Sequence, residues 1–219
     1  MIENMAVPND LSANPNPGDA KSKYVVYVVE DDIGMRDSLG AMLKGQGFNY
    51  KLFATPDDFL AEFDGSPGCL LFDLCLPRID GVELYRLLRE KGVRLPCIMI
   101  SGNANIMNAV ESMKLGVVDF LEKPFRSQAL VDCISKSLNI VAENEDTIRR
   151  FKTLTPRERE FVEHIRDGAS VKLISQDLGI KPKTGHIHRH SIHLKLGVSS
   201  DVELLNKLRR AGIQANEKK

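Results

Sequence analysis

Asp73 closes the apolar run in Cys69-Leu-Leu-Phe-Asp-Leu-Cys-Leu-Pro77, and a proline follows four residues later. This pattern places a carboxylate where a buried strand emerges into a loop, the edge at which open parallel sheets bind ligands. By itself such an acid is as compatible with a paired structural carboxylate as with a phosphate-handling group. Four more residues bear on the choice. Glu30 and Asp31 follow the apolar run 24–29, Ser101 follows 97–100, and Lys123 follows 117–121. Two or three carboxylates form a hard oxygen site suited to Mg²⁺, and a cation there keeps Asp73 ionised beside its acidic neighbours. Phosphoryl transfer needs mainly positioning and charge neutralisation, which Mg²⁺, the Lys123 ammonium and the Ser101 hydroxyl supply. Asp73 is then the nucleophile, forming an acyl phosphate.

Those residues must be carried to one place. The spacing predicts short strands over 24–29, 50–53, 69–73, 97–100 and 117–121, the first of them a continuous apolar run rich in β-branched and aromatic residues. Helices are expected from Met35 to a stop at Gly45 and Gly47, over 57–63, 82–90 and 106–115, and from a Ser127 cap through Val141. Five strands alternating with five helices imply right-handed crossovers and a parallel sheet covered on both faces. All five chemical residues then fall at the same sheet edge. Asp31 or Asp32, taken alone, could instead cap the helix that follows.

Val28-Val-Glu-Asp-Asp32, Leu71-Phe-Asp-Leu-Cys-Leu-Pro77, Ile100-Ser-Gly102 and Asp119-Phe-Leu-Glu-Lys-Pro-Phe125 together resemble the receiver domain of bacterial response regulators, in that family's order and over about 23–140. The resemblance implies a flavodoxin-like fold in which Asp73 accepts a phosphoryl group from a sensor histidine kinase. It implies Glu30, Asp31, Asp73 and the backbone carbonyl of Cys75 as ligands of Mg²⁺ or Mn²⁺. It also implies Ser101 and Phe120 as the switch pair, Lys123 as the phosphate-binding lysine, and a cis peptide between Lys123 and Pro124. A phosphohydrolase of the haloacid-dehalogenase type combines similar groups, but its early Asp-x-Asp motif is missing here, since Leu74-Cys75 supplies no second Asp.

The net charge of zero conceals a division. Residues 1–140 carry 14 Lys and Arg against 19 Asp and Glu, whereas 141–219 carry 16 against 11. An acidic first part fits a cation and phosphate site, and a basic second part fits a nucleic-acid binder. Residues 1–22 read as a disordered leader, with no signal peptide or membrane span, and the protein is expected in the cytoplasm. Cys69, Cys75, Cys97 and Cys133 lack metal-site spacing and are expected as free thiols.

The stretch 141–152 reads as a solvated helical linker. Beyond it, Thr155-Pro-Arg-Glu158 has the capping-box pattern of a helix that stops at Gly168, Ser170 caps a second helix, and Pro182 opens a third that runs to Leu196. Helix, short glycine turn and helix is a helix-turn-helix. Over about 153–212 the residues Leu154-Thr-Pro-Arg-Glu158, Lys172, Leu178-Gly-Ile180, Lys183-Thr184, His188-Arg189 and Lys195-Leu-Gly-Val198 resemble the DNA-binding domain of LuxR-type regulators, the output half of the NarL/FixJ family. Matched positions put Lys172, Lys183, Thr184 and Arg189 near phosphates, and His186, Ile187 and His190 near base edges. Gly185 departs from the family's branched apolar residue and costs about 1 kcal/mol relative to Ala in a helix. A recognition helix that frays at its start, or a closer backbone approach to the groove, is expected. His186, His190 and His193 share a helix face at a spacing that also suits Zn²⁺, although no carboxylate or cysteine on that face supports a dedicated site. A last helix over about 200–211 closes this domain's core and, in the family, contributes to a dimer contact.

The whole reads as a receiver (23–140), a linker (141–152) and a LuxR-type helix-turn-helix domain (153–219). Its expected function is a transcriptional regulator, more an activator than a repressor, and not an enzyme beyond its own phosphoryl transfer and dephosphorylation. The expected partners are a histidine kinase, double-stranded promoter DNA, RNA polymerase and, on phosphorylation, a second copy of the chain.

Overall fold

The computed structural model describes residues 21–77, 79, 81–102 and 116–214. Within them, strands β1 (Val25–Val29), β2 (Asn49–Phe53), β3 (Gly68–Asp73), β4 (Cys97–Ser101) and β5 (Asp119–Glu122) form one parallel sheet in the order β2-β1-β3-β4-β5. Order reverses between β1 and β3, so the carboxyl ends of those two neighbours open a crevice. Pairing of Val29 with Phe72 brings Glu30 and Asp73 to the same level of that crevice.

Alternate side chains of the buried strands enter two separate cores. Val26, Val28, Cys69, Leu71, Ile98 and Ile100 pack with Leu39 and Leu43 of α1 (Ile33–Gly45) and with Leu130, Ile134 and Leu138 of α4 (Ser127–Lys152). Tyr27, Val29, Leu70, Phe72 and Met99 pack on the other face with Phe59 of α2 (Pro56–Glu62) and with Leu84 and Leu88 of α3 (Gly81–Glu90). Burial on both faces explains why these strands read as continuous apolar runs rather than alternating ones. The expected helix over 106–115 and most of the leader lie outside the described residues.

Three local expectations change. The last strand begins at Asp119, two residues later than 117. Ser127 is the first residue of α4 rather than its cap, and α4 continues through Lys152. The chain divides into two units after Ala142, inside that helix. Residues 141–152 are therefore helical, as expected, but not merely solvated: Thr147 is buried, its hydroxyl donating to the Glu143 carbonyl at 2.8 Å, and Phe151 packs into the second core.

The second unit contains α5 (Pro156–Arg166), α6 (Val171–Asp177), α7 (Pro182–Leu196) and α8 (Asp201–Arg210). Thr155 and Glu158 form the capping box, Ser170 and Ser200 cap α6 and α8, and Gly197, in the left-handed region, ends α7. Phe161, Val162, Ile174, Ile192, Leu196, Leu204 and Leu208 are its core. Among the described residues no helix is long and apolar enough to cross a membrane.

Candidate functional sites: an acidic crevice and an exposed helix

Asp73 is the last residue of β3, so its backbone is held by the ladder while its carboxylate reaches the crevice. Oδ1 accepts the Cys75 amide at 2.8 Å, and Oδ2 accepts the Lys123 ammonium at 2.5 Å. The same ammonium lies 2.9 Å from Glu30 Oε2. Lys123 thus bridges two buried carboxylates, one from each side of the topological switch. Its place is set by a 2.7 Å bond from its amide to the carbonyl of buried Ser101 and by the expected cis peptide to Pro124. Arg36 of α1 donates to the Glu30 carbonyl at 2.7 Å and braces the loop after β1. Nothing in the residue pattern had singled that arginine out.

Charge at this site is balanced unequally. Burial raises the pKa of the Glu30 carboxyl, against the opposing pull of Lys123. Burial opposes the charge on Lys123 too, but its hydrogen bonds to Asp73 and Glu30 outweigh that and raise its pKa. Asp32 caps α1, accepting the Met35 amide at 2.7 Å, so it stands outside the acidic pair. Asp31 is exposed at the rim, and among the described residues no three acidic, Cys or His side chains gather around one point. The hard oxygen donors suit a divalent cation in type, with Lys123 now the counter-charge of the two innermost acids. Phe120 is half-buried on β5, against the core shared with α2 and α3. The four cysteines are free; Cys75 is exposed and the others are wholly or partly covered.

In the second unit α6 and α7 form the helix-turn-helix, joined through Gly179 at φ 64°. Lys172, Lys183, His186, Ile187 and His190 are exposed, as candidates for DNA contact must be, while Thr184 and Arg189 are half-buried. Ile187 is 60% exposed, a large apolar side chain left open on a core-forming helix. Gly185 corrects the sequence-based expectation: it is buried and faces α6, where a Cβ would stand 2.2 Å from Ser175 Oγ and 3.1 Å from Val171 Cγ1. Its small size serves close packing against α6, not a closer approach to a groove. His193 does not stand open with His186 and His190, because its Nε2 lies 2.8 Å from Asp201 Oδ1.

Glu158 fastens α7. Already part of the capping box, it is 3% exposed and receives Lys195 at 2.7 Å and Ser191 at 2.7 Å, both from α7. Burial alone would raise its pKa, but Lys195, the Thr155 amide and Ser191 together lower it to about 2. The capping motif disclosed the local half of this role; the pairing across helices had no sequence signal. A groove of about 600 Å³ lies elsewhere in this unit, between the end of α4 and α8, and includes neither Asp73 nor the exposed residues of α7.

Comparison with known proteins matches both halves. Residues 26–135 match the response regulator receiver domain, and residues 152–208 match the luxR family of bacterial regulatory proteins. The transcriptional regulatory protein FixJ of Bradyrhizobium diazoefficiens is 36% identical over 200 residues, covering 88% of this chain and 98% of that protein. The response regulator protein TodT of Pseudomonas putida is 31% identical over 189 residues, 83% of each chain. Among solved structures, full-length FixJ from B. japonicum gives a TM-score of 0.52 at 35% identity, covering 89% of this chain and all of that one. The response regulator StyR gives 0.53 at 33% identity, with 87% and 99% covered.

Proposed function

Because the chain belongs to the response regulators that join a receiver to a LuxR-type DNA-binding domain, and is a phosphorylation-dependent transcriptional regulator, we propose that Asp73 is its phosphoacceptor. The observation that carries this reading is the Lys123 bridge between Asp73 and Glu30 at the carboxyl ends of β3 and β1. A carboxylate oxygen of Asp73 attacks phosphorus, the N–P bond of a kinase phosphohistidine breaks, and the imidazole leaves. Lys123, already on the carboxylate, follows the negative charge onto a phosphoryl oxygen, and Ser101 donates to another. Receiver domains generally bind Mg²⁺; here Glu30, Asp31, Asp73 and the Cys75 carbonyl would hold it, and it would offset phosphoryl charge. Attack of water on the aspartyl phosphate resets the protein without making it a classical enzyme.

Movement of Ser101 and Phe120 toward the new phosphoryl group reshapes the neighbouring surface and favours a homodimer. Pairing two helix-turn-helix units raises their effective concentration on a two-half promoter site. Lys172, Lys183, Thr184 and Arg189 meet phosphates there, and His186, Ile187 and His190 meet base edges. Activation through RNA polymerase is the output, in the cytoplasm where promoter DNA lies. Asp73→Asn should abolish Mg²⁺-dependent incorporation of phosphate from acetyl phosphate, read by intact-protein mass; undiminished incorporation overturns the assignment.

A further inference from the structure

Asp201 is the first residue of α8, where the positive end of the helix favours a carboxylate. Its Oδ1 accepts Arg189 Nε at 2.9 Å and lies 2.8 Å from His193 Nε2. Arg189 and His193 stand one turn apart on α7, so one acid serves two groups of the recognition helix. The three side chains grade from covered to open: His193 is 14% exposed, Asp201 31% and Arg189 36%. His193 and the helix terminus hold the carboxylate, which in turn holds the arginine.

The bond to Arg189 runs through Nε. A guanidinium is planar, so a single anchored Nε restrains its orientation, while its two Nη groups make no hydrogen bond among the described residues. Those groups form the fork that grips phosphate in bidentate fashion. A free arginine must surrender rotamer entropy to present that fork, and an anchored one has surrendered much of it already.

We propose that Asp201 is a positioning residue for DNA, orienting the Arg189 fork toward a backbone phosphate; this rests on Arg189 being a phosphate contact, as read above. Charge alone gives the opposite expectation. Removing Asp201 adds one unit of positive charge to a basic domain and should tighten binding to any duplex.

The test uses the full chain with acetyl phosphate and Mg²⁺. Wild-type protein first enriches a binding site from a randomised duplex pool; fluorescence anisotropy then compares that duplex with an unselected duplex of equal length. Asp201→Ala should weaken binding to the enriched duplex about tenfold, the size of one charge-assisted contact, and, because the contact is to backbone phosphate, weaken binding to the unselected duplex as well. Arg189→Ala should cost at least as much, and the double variant should match Arg189→Ala within about twofold, because the two residues act as a unit. Asp201→Asn keeps an oxygen for Nε and should recover binding to within about threefold of wild type. Circular dichroism separates a reoriented arginine from a melted α8, and the Asn variant carries the comparison if the Ala variant loses helix. Tighter or unchanged binding of Asp201→Ala to both duplexes, or additive losses in the double variant, overturns the proposal. If Arg189→Ala binds as wild type, the phosphate contact itself falls; if only Arg189→Ala weakens binding, the positioning role alone falls.

Discussion

Glu30 and Glu158 are both almost fully buried and both bonded to a lysine, yet their acidities move in opposite directions. Glu30 shares Lys123 with Asp73, and burial prevails, so its pKa rises. Glu158 has Lys195, an amide and a hydroxyl, which outweigh burial and lower its pKa to about 2. The first unit thus keeps an under-compensated acidic crevice at its open edge, able to accept more positive charge. The second uses a fully bonded carboxylate as a fastener. Burial of an acid does not by itself reveal its purpose; the number of donors around it does.

Breaking the fastener should have the largest effect on stability. Lys195→Met strands a buried carboxylate and should destabilise the second unit by about 3 kcal/mol, as loss of one partner of a buried pair does; a denaturant midpoint for that unit matching wild type would remove the contrast. The pH dependence has a definite sign. A carboxyl whose folded pKa is depressed contributes stability above its unfolded value near 4.5, lost as pH falls toward 2. Acid unfolding of Glu158→Gln should accordingly show a shallower decline across that window than wild type.

Gly185→Ala comes next. Helix propensity alone makes alanine better by about 1 kcal/mol, whereas the Ser175 hydroxyl in its path makes it worse by about 1–3 kcal/mol. The close contact prevails, so Gly185→Ala should lower the thermal midpoint of the second unit, and Ser175→Ala added to it should recover part of the loss. The smallest expected change in stability is at Glu30. Burial disfavours its charged form while its bond to Lys123 favours it, so Glu30→Gln should leave the unfolding midpoint of the first unit little changed, while slowing incorporation of phosphate from acetyl phosphate. A marked drop in its unfolding midpoint would place Glu30 with Glu158 as a fastener.

Much of this was legible because local chemistry and topology agree. The apolar runs ending at Glu30, Asp73 and Ser101, and the lysine just past the last strand, need only the rule that parallel strands present their carboxyl ends together. Thr155, Ser170 and Pro182 marked their helix starts through backbone groups only a few residues away. What stayed hidden depended on partners distant in the chain. The polar stretch 141–152 gave no sign that Thr147 would be covered, because burial there depends on the helices that follow. Gly185 looked like a weak point in a helix and is a contact surface for Ser175, ten residues earlier.

The sequence by itself therefore determined the strand and helix periods, the caps of the second unit's first two helices, and which acids, hydroxyl and lysine reach the sheet edge, since each follows from short-range geometry and one topological rule. Only the tertiary structure decided how the charges are shared: Lys123 between Glu30 and Asp73, Lys195 committed to Glu158, and Asp201 between Arg189 and His193. Ion pairing depends on distances of a few ångströms between residues tens of positions apart, and residue spacing along a chain does not encode them.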